Sequence, residues 1–305
     1  MEPFLALVGP TASGKTEAAL AVAEALGAEI LSIDSMLVYR GMDVGTAKPS
    51  AAQRARVPHH LLDLVEPSDP FSVAAFQSAA RAASVGVRRR GAQPLLVGGS
   101  GLYFRAVVDD LEIPGTDPVV RGALEGEAAA LGMERLHRRL AELDPVAAAK
   151  IDPGNVRRIV RALEVAAITG RPFSSFAAAW ESYGPDRVRA AGIRLPPEEL
   201  TARVEGRVQA MLADGWLAEV ERLVGGGFGG WLTASQAIGY AELARHLIGE
   251  LSLEDAVRQT VKRTRTLARR QMAWFRRDPR IRWFDAGAGG ALGIVDRIVA
   301  SLEDA

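Results

Sequence analysis

The 305-residue chain contains no cysteine. Disulfides, thiolate metal sites and a cysteine nucleophile are therefore excluded. Lysine is nearly as scarce, four against 33 arginines, so a lysine inside a motif stands out. No apolar stretch approaches the ~20 residues that span a bilayer, and no membrane role is expected. The N-terminus lacks a basic segment followed by an apolar run and a small-residue cleavage site, which sets the expectation of a cytoplasmic protein. Repeats and low-complexity linkers are missing too, which excludes solenoid and fibrous architectures. Net charge is zero, with 37 basic and 37 acidic residues. The balance is uneven, however. Residues 258–282 hold ten basic side chains and one acid, Asp278, leaving the remainder at net −9. A basic block of this kind points to an anionic partner. What is present otherwise is ordinary: 48% hydrophobic and 24% charged residues, enough for a sizeable core.

Two of the scarce lysines lie in glycine-bearing segments near the start. Residues 9–16 read Gly9-Pro10-Thr11-Ala12-Ser13-Gly14-Lys15-Thr16, the G-x-x-x-x-G-K-[ST] phosphate-binding pattern. The apolar run 4–8 before it reads as a buried strand, and 17–26 after it as a helix. Strand, loop and helix N-terminus form an anion site of inward N–H groups and helix dipole. Lys15 can reach terminal phosphates, and Thr16 can hold Mg2+. The motif leaves open which phosphate ester binds. The second lysine segment, 39–49 (YRGMDVGTAKP), reads on physics alone as either a turn or a ligand loop.

Further short apolar runs at 28–33, 61–65, 94–97 and 188–195 read as strands, with 282–284 as a short one. Helical patterns lie between several of them, notably over 72–90. Strand–helix alternation predicts a parallel sheet covered on both faces. Between about 114 and 183 strand signals vanish, and helices are expected at 118–131, 134–143, 145–151 and 156–169. Further helices are expected at 197–214, 217–224, 235–247 and 253–277. The fold class is α/β: a P-loop NTPase-like parallel sheet core flanked by helices, with an inserted all-helical domain. The expected boundaries are 1–113 and 187–305 for the core and 114–186 for the insert.

Several side chains are candidates for chemistry. Asp34 follows the second strand, where ligands of open α/β sheets bind, and can act as a general base or hold Mg2+. The alternative is an Asp capping the following turn. Gly98-Gly99-Ser100-Gly101-Leu102-Tyr103 ends an apolar strand in glycines that permit close backbone approach to a ligand. Ser100 and Tyr103 can meet a base or phosphate. The acid that a P-loop NTPase often places at such a strand end is absent, which weighs against plain ATP hydrolysis. Arg203 and Arg207, at i and i+4, share a helix face and can clamp a diphosphate. Lys262, Arg263, Arg265, Arg269 and Arg270, followed by Trp274 and Phe275, suit structured RNA. Arg157, Arg158 and Arg161 form a lesser basic cluster. His59, His60, His137 and His246 show no metal-ligand spacing and read as structural. Two further classes stay open: an ATP-using small-molecule kinase and a non-catalytic P-loop RNA-binding protein.

Taken in order, these segments resemble the bacterial tRNA dimethylallyltransferase (tRNA isopentenyltransferase) family over nearly the whole chain. The resemblance rests on GPTASGKT, Asp34-Ser35, YRGMDVGTAKP, Pro58-His59-His60, GGSGLY, NVRRIVRALE (155–164), QAIGY (236–240) and TRTLARRQMAWF (264–275). It implies transfer of a dimethylallyl group from dimethylallyl diphosphate to N6 of the adenine at position 37, in tRNAs reading codons that begin with U. It also implies that the phosphate loop (Gly9, Pro10, Thr11, Ala12, Ser13, Gly14, Lys15, Thr16) holds the diphosphate with Arg203 or Arg207. Mg2+ would sit at Thr16, and Asp34 would be the base. Contacts to the tRNA anticodon stem-loop are expected from Asp34, Ser35, Met36, Leu37, Ser100 and Arg121. Arg157, Arg158, Arg161, Gln236, Gly239, Tyr240, Arg265, Arg269 and Arg270 are expected to add to them. The chain looks like the short bacterial form without a zinc finger, acting as a monomer.

Overall fold

The structure is a computed structural model that describes residues 3–287 and 290–303. Six strands form one all-parallel sheet: β1 (Phe4–Val8), β2 (Ala28–Ser32), β3 (His59–His60), β4 (Gln93–Gly98), β5 (Val188–Arg194) and β6 (Ile281–Asp285). Their order is β3-β2-β4-β1-β5-β6. β1, β2 and β4 are apolar on both faces because helices cover both sides, as a parallel sheet requires. The phosphate loop leaves β1, which lies between β4 and β5.

The chain divides into two compact units, Asp109–Tyr183 and the remainder. In the sheet unit lie α1 (Lys15–Leu26), α2 (Ala51–Arg56), α3 (Val73–Arg89) and α4 (Gly101–Val108). The second unit holds α5 (Pro118–Leu131), α6 (Met133–Leu143), α7 (Pro145–Lys150), α8 (Val156–Thr169) and α9 (Ala178–Glu181). The sheet unit then resumes with α10 (Pro197–Ala213), α11 (Trp216–Gly225), α12 (Tyr240–Leu247), α13 (Leu253–Phe275) and α14 (Val295–Glu303). On one face of the sheet α1 and α14 pack through Leu20, Val22, Ile298 and Leu302. On the other, Phe76, Phe104, Trp216, Tyr240 and Phe275 join the strands in a larger core. The helical unit has its own core of Leu124, Leu136, Leu140, Ile159 and Leu163. Local capping fixes its helix starts. Asp117, Asp144 and Asn155 each accept N–H bonds at the first turns of α5, α7 and α8.

Two of the expected elements differ from the sequence reading, and helices α2 and α14 were not expected. The third strand is His59–His60, and residues 61–65 are not a strand. Leu61 and Asp63 have φ of 66° and 54°, which breaks an extended run, and only Val65 forms an isolated bridge, with Tyr39. The helix expected at 235–247 begins at Tyr240. Gly239 before it has φ +89°, and a Cβ there would fall 2.0 Å from the Trp216 ring.

Candidate active site

The carboxyl ends of β1, β2 and β4 open into a cleft of about 370 Å³. Its lining brings together Thr11 to Thr16 of the phosphate loop, Asp34, Leu37, Thr46, Ala47, Gly98, Gly99, Arg203, Arg207 and Gln271. Residues spread over 261 positions of sequence thus meet at one end of the sheet, where open α/β folds bind ligands.

Lys15 opens α1 and folds back on its own loop, donating from Nζ to Pro10 O at 2.5 Å. Burial, and next the charge of Arg207, push its ammonium down to about 7, while Asp34 opposes the shift. The Arg207 guanidinium is likewise lowered by burial, with Asp34 opposing. Arg207 donates to Thr11 Oγ1 at 3.3 Å, which ties α10 to the loop. Arg203, one turn earlier, also lines the cleft but pairs with Glu199 at 2.8 Å. A bound diphosphate would supply negative charge that Lys15 and Arg207 lack.

Asp34 caps the following turn and also lines the cleft. Its Oδ1 accepts the Met36 N–H at 2.9 Å, forming a turn, while the carboxylate lines the cleft. The protein donors for a metal in the lining are hard oxygens, among them the hydroxyls of Ser13 and Thr16 and the carboxylates of Asp34 and Glu17. Among the described residues there is no cluster of three His, Cys, Asp or Glu side chains. Such a set fits Mg2+, which binds through few protein oxygens and takes the rest from water and substrate phosphates.

The 39–49 segment divides into scaffold and lining. Lys48, its side chain 1% exposed, donates to Tyr39 O, Asp43 Oδ1 and Asp63 Oδ1 at 2.6–2.7 Å. Glu219 of α11, buried, accepts the N–H groups of Asp43 and Val44 at 2.9 Å and of Gly45 at 3.3 Å. Tyr240 donates its hydroxyl to Glu219 Oε1 at 2.5 Å. This double clamp leaves Thr46, Ala47 and Pro49 facing the cleft. His59, expected to be purely structural, lines it as well. Its ring nitrogen Nδ1 also bonds Val57 O at 2.7 Å, and burial lowers its pKa.

A family model described as IPP transferase matches residues 37–278, and one described as isopentenyl transferase matches residues 3–62. The chain belongs to the IPP transferase family. It is 51% identical over 298 residues to the tRNA dimethylallyltransferase of Nocardioides sp., covering 98% of this chain and 95% of that one. To the tRNA dimethylallyltransferase of Kineococcus radiotolerans it is 50% identical, with 98% and 96% covered. Among solved structures it is similar to the full-length tRNA isopentenylpyrophosphate transferase of Bacillus halodurans. The two share 38% identity and a TM-score of 0.71, over 99% of this chain and 97% of that one.

Other expected site residues of this IPP transferase family member lie elsewhere. Arg265 and Arg269 of α13 line a groove of about 650 Å³ with Glu205, Gln209 and Lys262, and Arg270 is exposed. None of these three arginines has a carboxylate partner among the described residues. Gln236 is exposed and donates to Leu232 O. Gly239 and Tyr240 are corrections to the expected tRNA contacts. Tyr240 is 0% exposed and belongs to the Glu219 clamp, and Gly239 is buried under Trp216. Tyr103 is buried and stacks on Phe76 at 4.0 Å, and burial, with the charges of Tyr39 and Asp34 nearby, raises its phenol pKa. The glycines of GGSGLY make room first for the protein itself. A Cβ at Gly99 would lie 2.4 Å from Gln271 Nε2, and one at Gly101 2.7 Å from the Trp274 ring. Ser100 caps α4, its Oγ accepting the Tyr103 N–H at 3.4 Å. Ser35 and Met36 are half-buried on the turn after Asp34.

Within the helical unit, Arg121 and Arg161 both donate to Glu164 Oε2 at 2.8 Å, and Asp117 N–H donates to Oε1 at 3.0 Å. Burial works to raise the Glu164 carboxyl, but these bonds outweigh it and hold the group below its ordinary value. Arg161 also donates to Pro114 O and Gly115 O. Arg157 and Arg158 are exposed on the first turn of α8. Glu219 and Gln271 are the site residues that sequence reasoning missed. Glu219 was signalled by its spacing: a carboxylate on the stripe Trp216, Val220, Leu223 of α11 is a charge on an apolar face.

Proposed function

We propose that the chain transfers the dimethylallyl group of dimethylallyl diphosphate to N6 of adenine 37, beside the anticodon of tRNAs that read codons beginning with U. It would act as a cytoplasmic monomer. The observation that carries this reading is the cleft in which a phosphate loop, two arginines and the Asp34 carboxylate face each other. The family supplies the chemistry, since its curated relatives are named for this transfer.

In the reaction the allylic C1–O bond breaks and the N6–C1 bond forms. The exocyclic amine is a poor nucleophile because its lone pair is delocalised into the purine. Asp34 accepts the N6 proton as the new bond forms. Lys15, Arg203 and Arg207 neutralise the charge that develops on the departing diphosphate. The diphosphate's own charge holds Lys15 in its ammonium form once bound. Thr16 would hold Mg2+, which when bound would supply further positive charge for the leaving group. To reach Asp34 the adenine must leave the anticodon stack, and the exposed arginines of α13 supply charge for the RNA backbone.

The test is direct. The protein is incubated with unmodified tRNA and labelled dimethylallyl diphosphate, and the RNA is digested. Label in an N6-modified adenosine from position 37 is the expected result, with no ATP consumed. ATP consumption coupled to turnover would favour the kinase reading, and RNA binding without label transfer the non-catalytic one.

A further inference from the structure

Gln271 sits on α13 directly after Arg269 and Arg270, but it points the other way. Those two arginines are exposed, whereas Gln271 is half-buried and lines the cleft. Its Oε1 accepts the Thr11 N–H at 2.9 Å. Its Nε2 lies against Gly99, where even a Cβ would come within 2.4 Å. One amide therefore spans the phosphate loop and the loop that ends β4.

The phosphate loop needs such an anchor. Ala12 is a non-glycine residue at φ 63°, a conformation that costs about 1 kcal/mol or more. On one side the loop is held by Lys15 on Pro10 O, and at Thr11 Oγ1 by Arg207. Gln271 holds the neighbouring N–H from a different helix. A 23-residue helix packed along α10 moves as a unit, so any shift of its outward face carries Gln271 with it.

We propose that Gln271 is a positioning residue that couples the basic face of α13 to the phosphate loop. RNA docking on α13 and diphosphate binding in the cleft are then linked, and by reciprocity each alters the affinity of the other by the same factor. The proposal rests on the reading of the cleft and of α13 given above.

The experiment measures binding of inorganic diphosphate by calorimetry, with and without a saturating anticodon stem-loop RNA. In the wild type the RNA should change diphosphate affinity by about 5-fold or more, the lower end of measured couplings. In Gln271→Leu that factor should fall to one, while RNA affinity stays within about 2-fold of wild type. Gln271→Glu keeps an acceptor for the Thr11 N–H. It should keep the coupling factor, although its charge weakens diphosphate binding overall. A merely structural amide would not show this rescue. Equal coupling in wild type and Gln271→Leu overturns the proposal, as does no coupling in the wild type. If the wild type transfers the prenyl group yet shows no coupling, the positioning role alone fails. If it binds no diphosphate, the reading of the cleft fails first.

Discussion

Two loops in this chain each carry one of its four lysines, and they use them in opposite ways. In the phosphate loop Lys15 bonds only neutral oxygens among the described residues, and burial beside Arg207 brings its pKa to about 7. In the 39–49 loop Lys48 is saturated by two carboxylates and a carbonyl. A cation left short of negative charge is ready for an anionic ligand. A cation already surrounded by acids is a strut. The same contrast separates the acids: Asp34 lines the cleft with no cation partner within ion-pair distance among the described residues, while Asp43 and Asp63 pair with Lys48.

The sharpest way to test this contrast is the acid on the cleft. Asp34→Asn keeps the acceptor for the Met36 N–H and removes the base. Turnover should drop by about 10²–10⁴ with tRNA affinity and melting temperature nearly unchanged. Steady-state kinetics beside a thermal melt reads both, and near-normal turnover would refute the assignment.

Lys48→Met should show the reverse pattern in the melt. Losing two charge-assisted bonds, partly compensated because Asp43 and Asp63 can reach water, should cost about 2 kcal/mol of stability. That corresponds to a midpoint lower by roughly 4–8 °C. Diphosphate affinity measured well below the transition should move much less. An unchanged melt would show that the strut carries no load.

The arginines extend the comparison from loops to helices. Arg121 and Arg161 share Glu164, whereas Arg265, Arg269 and Arg270 have no acid partner among the described residues. Changing Arg269 and Arg270 together to Ala should weaken tRNA binding by about tenfold at low salt. It should also flatten the salt dependence by about 0.7–0.9 log units per lost contact. Diphosphate should still bind. Wild-type affinity at several salt concentrations would reduce α13 to a solvated face.

The last prediction concerns pH. The allylic diphosphate favours the charged form of Lys15, so its binding raises that pKa above the free value of about 7. Between the two values binding takes up a proton. Affinity should therefore fall as pH rises from 7 to 9, by at most about tenfold per unit. Calorimetry in buffers of different ionisation heat detects the proton, and Lys15→Met should abolish its uptake. Proton release instead of uptake would reverse the sign of the argument.

Local patterns carried much of this protein. The apolar runs of β1, β2, β4 and β5, the glycine spacing of the phosphate loop and the capped helices 118–131 and 156–169 were legible because each is fixed by residues within one or two turns. Asp34 was legible from its place after a strand. Tyr240 and Gly239 read as ligand contacts, since sequence shows residue type but not which side of a core it faces. Only the tertiary structure brought Glu219 under residues 43–45 and Gln271 against Thr11, across separations of 174 to 260 positions. The division between free and committed charges was decided there too. A lysine's pairing depends on which acids the fold brings within hydrogen-bond reach, and no local rule contains that distance.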